Sequence, residues 1–539
     1  MEMASQLMML LSSVNGSPPT ARMTALPFAV FGLGNKKYEH FCAAGKLAYQ
    51  CMLDLGAKPV VERGDGNDGE DIDSDFDTWK KSLLSAIDAS GLLTKRGEIE
   101  GSDGDGQKKA QEKIAAYDFV LPSEDTHVRS EVAELVHNSG DGTRRDAPFL
   151  AEVLTVKELH APTAERSCIH VELTIAGSGM KYTAGDHLGV FSKNGTDTVE
   201  KAAKALGYPL EMPFTLVQPA HAPAHLPQPF PGPVTVADAL AWHVDLLSPV
   251  SKPALQGLLA LAHGEDREKL GRILNGSAEQ YKAWHKQSRC LLEVLEEFPN
   301  IQPPIGAFFA SVAQKLQPRF YSISSSPAAD PNVISLTCAV VRSVTPTGRL
   351  HKGLSSTYLK EKLPGTRVPV FLRQSSFRLP SDSMAPLLMV GAGTGLAPYR
   401  GFLQERSALI KRGTTVGPAY LFFGCRTRDQ DFIYKSELEG FQKAGALTEL
   451  HVAFSREGKQ KDYVQHQLKR QAQTVAYMLS ATKDARGVVY VCGDAKHMAT
   501  DVASTAVGIV MAAEGCSEET VRSRFTSMSK ERRIQKDVW

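Results

Sequence analysis

The sequence predicts a multidomain α/β protein that combines part of a parallel sheet, an antiparallel β-barrel with a helical insertion, and a doubly wound parallel sheet. At 539 residues, the chain exceeds what one hydrophobic core supports. Alternating apolar residues predict strands over about 148–190 and again from 319, with helical periodicity between them. An apolar run that enters a glycine-rich loop and then a helix, over 385–409, is typical of a doubly wound sheet.

Composition excludes several classes of protein. Hydrophobic residues make up 42% and charged residues 22%, as in globular domains, and the net charge of +1 carries no general signature of nucleic-acid binding. Eight cysteines occur without a Cys-x-x-Cys pair, so we expect neither a disulfide framework nor a metal site, and a reducing compartment. No apolar run reaches about 18 residues, so we expect no membrane span in this chain.

The first domain is predicted from residues 27–34, which indicate a buried parallel strand ending in a Gly-x-Gly loop. Tyr38, in the loop that follows, can stack on a planar ring, although Gly-x-Gly alone is weak evidence. A short strand over 59–62 leads into an acidic segment over 65–76, which predicts a loop and the start of a helix. Strand ends of this kind carry ligands in doubly wound sheets.

A ligand site is indicated by the strand that begins RFYS at position 319. Because side chains alternate along a strand, Arg319 and Tyr321 share one face and Phe320 and Ser322 the other. The guanidinium can bind a phosphate, and the tyrosine can stack on a ring system. On these residues alone, an edge strand that ends in a serine-rich turn is an equal alternative.

A second candidate for phosphate binding follows the turn at 345–348. Gly353 precedes Ser355 and Ser356 at a predicted helix N-terminus, where free N–H groups can bind a pyrophosphate. Ordinary helix capping is the alternative, because serine is a usual capping residue. Residues 96–117, by contrast, lack apolar periodicity and predict a linker.

The third domain is predicted to bind a dinucleotide. Its loop reads Gly-x-Gly-x-Gly from Gly391, which departs from the Gly-x-Gly-x-x-Gly fingerprint. Ser455, Arg456 and Lys461 favour a 2′-phosphate, and therefore NADPH over NADH, although each cation alone is more often simply solvated. Cys492 ends a further strand, where a neutral thiol is compatible with a nicotinamide and burial is the alternative.

Five motifs between about residue 140 and residue 539 resemble, in order, the NADPH–cytochrome P-450 reductase family of diflavin reductases. The turn from Thr345 to Arg349 resembles plant and algal members. The resemblance implies a partial flavodoxin-like (FMN) domain at 1–95, a linker at 96–144, an FAD-binding barrel at 145–384 with a helical insertion at about 231–309, and an NADPH-binding domain at 385–539. The last two domains resemble ferredoxin-NADP reductase.

The resemblance also implies roles for individual residues. Ser322, Cys492 and Asp537 would assist hydride transfer, and Trp539 would cover the FAD ring. The implied FAD contacts are Arg319, Phe320, Tyr321, Ser322, Cys338, Ala339, Val340, Gly353, Leu354, Ser355, Ser356 and Trp539. The implied NADPH contacts are Arg166, Thr394, Ser455, Arg456, Lys461, Tyr463, Gln465 and Asp501. The implied FMN contacts are Leu33, Gly34, Asn35, Tyr38, His40 and Asp68.

The implied activity is that of an NADPH-hemoprotein reductase. Electrons would pass from NADPH via FAD, and via FMN where the flavodoxin domain is complete, to a haem protein such as cytochrome P-450. No phosphate-binding loop precedes Phe28, so we expect substoichiometric FMN. The family implies the cytosolic face of the endoplasmic reticulum membrane, whereas this chain, without an anchor, is expected in the cytoplasm.

Four other interpretations stay open. Sulfite reductase flavoprotein, methionine synthase reductase and nitric oxide synthase share these modules, so the acceptor is not determined by the motifs. A truncated, inactive remnant is the non-enzymatic alternative. Acidic residues within 65–76 would help to dock a basic haem protein if the domain is functional.

Overall fold

A computed structural model describes residues 23–24, 26–36, 41–67, 72–90, 117–122, 140–219, 229–480 and 487–539. The chain divides into two compact units, residues 1–111 and residues 112–539. Within the described ranges, no helix combines the length and apolar character that a membrane crossing requires. The predicted multidomain α/β class is confirmed, since parallel sheets, an antiparallel barrel and helices are all present.

Within its described residues, the N-terminal unit contains short parallel strands and two helices. These elements are β1 (Pro27–Phe28), β2 (Phe31–Gly34), α1 (Ala43–Asp54), β3 (Lys58–Pro59), β4 (Gly64–Asn67) and α2 (Ile72–Ser90). Strand β1 pairs with β3, and β2 pairs with β4, both in parallel. The predicted strand at 27–34 is therefore two strands, and the strand predicted over 59–62 ends at Pro59.

Three aromatic side chains of the N-terminal unit pack against one another. The ring centroid of Phe31 lies 5.1 Å from that of Phe76 and 5.2 Å from that of Trp79. Phe28 is buried, but Leu33 is 72% exposed, so the prediction of a buried strand was wrong at its carboxyl end. The expected FMN contacts Tyr38, His40 and Asp68 lie outside the described residues.

The C-terminal unit contains the remaining elements. Its strands are β5 (Asp118–Val120), β6 (Phe149–Glu158), β7 (Ser167–Thr174), β8 (His187–Val190), β9 (Pro213–Val217), β10 (Val234–Thr235), β11 (Arg319–Ser322), β12 (Val333–Val340), β13 (Arg342–Val344), β14 (Leu350–Lys352), β15 (Arg367–Arg373), β16 (Leu387–Ala392), β17 (Ala419–Cys425), β18 (Glu449–Phe454), β19 (Val488–Gly493) and β20 (Ile534–Val538). Its α-helices are α3 (Thr196–Leu206), α4 (Val236–Trp242), α5 (Lys252–Leu261), α6 (Gly264–Asn275), α7 (Ala278–His285), α8 (Leu291–Glu297), α9 (Ile305–Ala307), α10 (Leu354–Lys360), α11 (Ala397–Lys411), α12 (Lys435–Lys443), α13 (Val464–Arg470), α14 (Ala472–Leu479), α15 (Met498–Glu514) and α16 (Glu518–Lys530).

Six antiparallel strands form the barrel in the order β11-β8-β15-β6-β7-β12. A bridge between Ile323 and Leu336 joins the two outermost strands, and both side chains are fully buried in the barrel core. The residues before β8 form a turn that includes Gly185, and the strand that we predicted over 182–184 is absent. Tyr182 is instead buried, and its hydroxyl donates to the Val333 carbonyl at 2.8 Å.

The helical insertion is larger than predicted. The Thr235 hydroxyl accepts a hydrogen bond from the Asp238 N–H at 3.0 Å and so caps the N-terminus of α4. Helix α3 lies before the expected range of 231–309 and shares one core with α4 and α8. A separate sheet, β10-β9-β5, covers this core, and β5 falls within the residues that we expected to be a linker.

The C-terminal sheet is parallel throughout, in the order β18-β17-β16-β19-β20. Helices cover both faces, with separate buried clusters on each side, as the doubly wound prediction requires. Strand β20 was not predicted, because its residues Ile-Gln-Lys-Asp-Val are largely polar. This edge strand carries Asp537 to the barrel.

Candidate functional site

The residues expected to assist hydride transfer meet at one carboxylate. Asp537 accepts a hydrogen bond from the Ser322 hydroxyl at 2.7 Å, and its other oxygen lies 3.0 Å from His187 Nε2. The Cys492 sulfur lies 3.9 Å from the same carboxylate. The structure therefore brings Ser322, Cys492 and Asp537 together, and it adds His187, which sequence analysis did not select.

Strand register explains why these four side chains converge. Ser322 is the cross-strand partner of His187 in the barrel, and Cys492 is the partner of Asp537 in the C-terminal sheet. Each pair presents side chains at the same end of its sheet. The site therefore forms where the barrel and the C-terminal sheet meet. A histidine directly after the Gly185–Asp186 turn was the available signal for His187.

The Cys492 thiol is neutral at physiological pH. It is fully buried, and burial together with the nearby Asp537 carboxylate raises its pKa well above the usual range. A thiolate is therefore not available as a nucleophile at this position. A neutral thiol beside a carboxylate suits contact with a flat, uncharged ring.

The strand β11 offers a partly open surface with the chemistry expected for FAD. Tyr321 and Ser322 are half-buried, and Phe320 is exposed. The Arg319 guanidinium donates to the Gln317 carbonyl at 2.7 Å and lies 3.6 Å from Asp245. Burial raises the pKa of the Tyr321 hydroxyl, so the ring stays uncharged. A cation, a ring and a hydroxyl along one strand fit a flavin with its phosphates.

The expected pyrophosphate loop is compact. The Ser356 hydroxyl donates to the Gly353 carbonyl at 3.0 Å and accepts from the Val341 N–H at 3.1 Å. A Cβ atom at Gly353 would lie 2.6 Å from the Val341 Cβ, so the position requires glycine. Because the Ser356 hydroxyl is engaged within the loop, backbone N–H groups are the donors left for a phosphate.

The expected NADPH contacts surround a cavity of about 670 Å³. Those that line it are Arg166, Thr394, Ser455, Tyr463, Gln465 and Asp501, and the expected FAD contact Trp539 lines it as well. The expected FAD contacts Ala339 and Val340 also line it, whereas Arg456 and Lys461 do not, within the described part of the chain. A cavity lined by a glycine-rich turn, cations and an aromatic ring fits a dinucleotide.

Glycine is required where the turn after β16 meets β19. A Cβ atom at Gly395 would lie 2.2 Å from the Cys492 carbonyl oxygen, and a Cβ atom at Gly391 would lie 2.9 Å from the Gly395 carbonyl oxygen. Larger residues would push the turn away from Cys492. The Gly-x-Gly-x-Gly spacing thus brings the loop close to the strand end that carries the thiol.

Three arginines gather beside this cavity. One Glu165 carboxylate oxygen lies 3.5 Å from Arg426 Nη1 and 3.6 Å from Arg456 Nη1. Arg166 donates to the buried Asp431 at 3.2 Å, and Asp431 also accepts from the Arg426 N–H at 3.0 Å. The position between Arg426 and Arg456 therefore already accepts a negative charge.

Sequence analysis missed Arg426 and Asp431. Arg426 was visible as a cation directly after a predicted strand, at the edge where ligands bind. Asp431 lies six residues beyond β17 and carried no recognisable pattern. Tertiary contact alone identifies it.

Known families match the three regions in order. The family described as FAD binding domain matches residues 143–358, and the family described as oxidoreductase NAD-binding domain matches residues 389–504. The flavodoxin family matches residues 10–79. This last match is short, and it lies within residues 1–95, the range that the resemblance implied for a partial flavodoxin-like domain.

Relatives match almost the whole chain. The NADPH–cytochrome P450 reductase of Drosophila melanogaster is 37% identical over 529 residues, which cover 96% of this chain and 75% of that protein. The enzymes of Musca domestica and Rattus norvegicus are each 36% identical, again over 96% of this chain and 76% of each relative. The likeness to plant and algal members stays a prediction, since these three are animal proteins. The chain belongs to the NADPH–cytochrome P450 reductase family.

Proposed function

We propose that this chain oxidises NADPH and, with FAD as its flavin, delivers the electrons to a haem protein such as a cytochrome P450. The observation that best supports this proposal is a cluster of four side chains where the barrel and the C-terminal sheet meet. These are Ser322, His187, Cys492 and Asp537. The names of the relatives support the same activity. The individual P450 partner and the cellular location stay predictions.

FAD, when bound, accepts a hydride and releases electrons one at a time. The chain supplies orientation and charge. The Asp537 carboxylate is held in place because Ser322 donates to one of its oxygens and His187 contacts the other. The oxidised nicotinamide ring carries a positive charge, which a fixed carboxylate stabilises as that charge develops. Cys492, which is fully buried, is an uncharged neighbour of the Asp537 carboxylate.

Trp539 is placed to exclude solvent and to control access. Its side chain is 55% exposed and lines the cavity, while its backbone is held by hydrogen bonds to Gly493 and Ala495. The ring can therefore move while the backbone stays fixed. Hydride transfer needs an approach of about 3 to 3.5 Å between reacting atoms, so the ring must leave that space to the nicotinamide.

The decisive experiment is anaerobic reduction of the purified yellow protein by NADPH. We expect the flavin absorbance to bleach, and we expect Asp537→Asn to slow bleaching by roughly 10²-fold with little change in the KM for NADPH. Asp382→Asn, at an exposed aspartate of the 374–386 segment, is the control and should bleach at the wild-type rate. A colourless protein, or a flavin that NADPH does not reduce, would refute the proposal.

A further inference from the structure

The segment between the last barrel strand and the first strand of the C-terminal sheet packs against the turn that precedes β8. Gly185, in this turn, has a φ of +97°, and a Cβ atom there would lie 1.9 Å from the Phe377 carbonyl oxygen. Phe377 is itself buried, and its ring stacks on Phe402 with centroids 5.6 Å apart. Turn and segment are thus in direct backbone contact.

A buried carboxylate joins this segment to the barrel. Asp186 is 1% exposed, and it accepts hydrogen bonds from the Thr183 N–H at 2.9 Å, the Ser375 N–H at 2.8 Å and Arg378 Nη2 at 2.5 Å. Arg378 Nη1 also donates to the Thr183 carbonyl at 3.2 Å. A buried carboxylate with one cation and two amide donors is well satisfied, and losing a partner would be costly.

A glutamine joins the same segment to the C-terminal sheet. Gln535, on β20, accepts from the Arg378 N–H at 2.8 Å and donates to the Arg378 carbonyl at 3.0 Å. The Tyr490 hydroxyl donates to this carbonyl at 2.7 Å. Both backbone polar groups of Arg378 are therefore held by the C-terminal sheet, while its guanidinium is held by the barrel.

These contacts lie on or next to the strands that carry His187 and Asp537, two residues of the candidate site. Asp186 directly precedes His187, and Gln535 lies two residues before Asp537, on the same side of β20. We infer that Asp186, Arg378 and Gln535 are positioning residues, which set the distance between Asp537 and the barrel residues Ser322 and His187. A displacement of about 1 Å in such a site can cost about 10²-fold in rate.

This inference rests on the proposed function, and it is tested with the flavin-loaded full chain. We expect Gln535→Ala to lower kcat for ferricyanide reduction by at least about 10-fold, with the KM for NADPH within about twofold of wild type. The primary isotope effect from NADPH deuterated at the transferred hydrogen should rise, because hydride transfer becomes more rate-limiting. The FAD content should not change.

Arg533→Ala is the matched control. Arg533 lies just before β20, and its guanidinium donates to the Gly487 carbonyl at 3.3 Å and to the Met478 carbonyl at 3.5 Å, both within the C-terminal region. It stabilises the same strand without reaching the barrel. We expect a similar fall in Tm for both variants, but a wild-type isotope effect and kcat for Arg533→Ala.

The results for these variants and for the wild type test the positioning role and the proposed function separately. If Gln535→Ala keeps the wild-type kcat and isotope effect, or if Arg533→Ala changes them equally, the positioning role is wrong. Gln535→Glu keeps an acceptor for the Arg378 N–H but loses the donor, and it provides the same test, with the same expected direction, if Gln535→Ala does not fold. A flavin-loaded wild type that does not oxidise NADPH overturns the proposed function itself.

Discussion

At the scale of the residue, we expect the placement of positive charge to distinguish NADPH from NADH. Arg456 lies with Arg426 on one carboxylate oxygen of Glu165, so this position is suited to an anion. Ser455, in the cavity wall, lies beside it in the chain. A 2′-phosphate can displace Glu165, whose side chain is 78% exposed and easily hydrated. NADH offers no such group.

We therefore predict that Arg456→Ala raises the KM for NADPH by roughly 10-fold or more, with much less effect on NADH, since a charged hydrogen bond is worth about 1.5 to 3 kcal/mol. Steady-state kinetics with both coenzymes measure this. Lys459→Ala removes an exposed charge from the same loop and is the control. Equal losses for NADPH and NADH would show that Arg456 does not bind the 2′-phosphate.

At the scale of the element, a polar network joins the barrel strands β7 and β12 to two helices of the C-terminal domain. His170 Nδ1 lies 2.8 Å from the Tyr434 hydroxyl, and that hydroxyl lies 2.7 Å from the Thr337 hydroxyl. The Arg400 guanidinium lies 4.9 Å from the Tyr434 ring centroid and donates to Glu437 at 2.8 Å. The network connects strand residues to helices α11 and α12.

This network makes stability depend on pH. Burial lowers the pKa of His170 from 6.5, and Arg400 adds to this, whereas Glu172 and Glu437 oppose it. Folding therefore favours the neutral imidazole, and the stability gained is complete above about pH 6.5 and is lost as pH falls through the lower folded pKa. We predict a falling urea midpoint between about pH 7.5 and 5.5.

His170→Gln should flatten this pH dependence, because glutamine keeps a polar contact with Tyr434 but does not titrate in this range. The control is His263→Gln, at an exposed histidine. We expect its urea midpoint to depend on pH as the wild-type midpoint does. Urea midpoints at several pH values decide the question. If the urea midpoint of His170→Gln depends on pH as strongly as that of the wild type, His170 is not the cause of the pH dependence.

At the scale of the whole molecule, the flavodoxin match is short. It covers residues 10–79, compared with residues 143–358 for the FAD-binding match. Within the acidic segment, Asp65 forms two hydrogen bonds with Arg63, both at 2.9 Å, so this carboxylate is engaged rather than free for docking. Asp68, Glu70 and Asp71, which we also expected to dock a haem protein, lie outside the described residues.

We predict that the 539-residue chain holds close to one FAD and substoichiometric FMN. It should reduce ferricyanide, which can take electrons directly from FAD, far better than cytochrome c, which in this family needs the FMN domain. Flavin extraction and chromatography measure both cofactors in one sample, with FAD as the internal standard. Equimolar FMN and FAD, with rapid cytochrome c reduction, would show that the FMN site is complete.

Patterns in the amino-acid sequence were sufficient to predict the fold class of the C-terminal unit and most of its candidate site residues. Strongly periodic or continuous apolar runs identify strands such as β16 and β17, since burial on one or both faces imposes those patterns. The Ser322, Cys492 and Asp537 grouping came from motif resemblance rather than from any local pattern. The polar strand β20 was not predicted because its burial depends on what packs against it. Helix α3 was also not predicted, although Val199, Ala202, Ala203 and Leu206 form a buried face with helical spacing.

Which of the candidate residues lie together in one site became clear from the tertiary contacts alone. Ser322 and Asp537 are 215 positions apart, and Asp186 and Arg378 are 192 positions apart, so no local pattern can pair them. His187 and Asp431 gain their partners through strand register and through the packing of a loop on the barrel. Local sequence determines which element a residue occupies, whereas burial of polar groups across the interface determines which partner it must find.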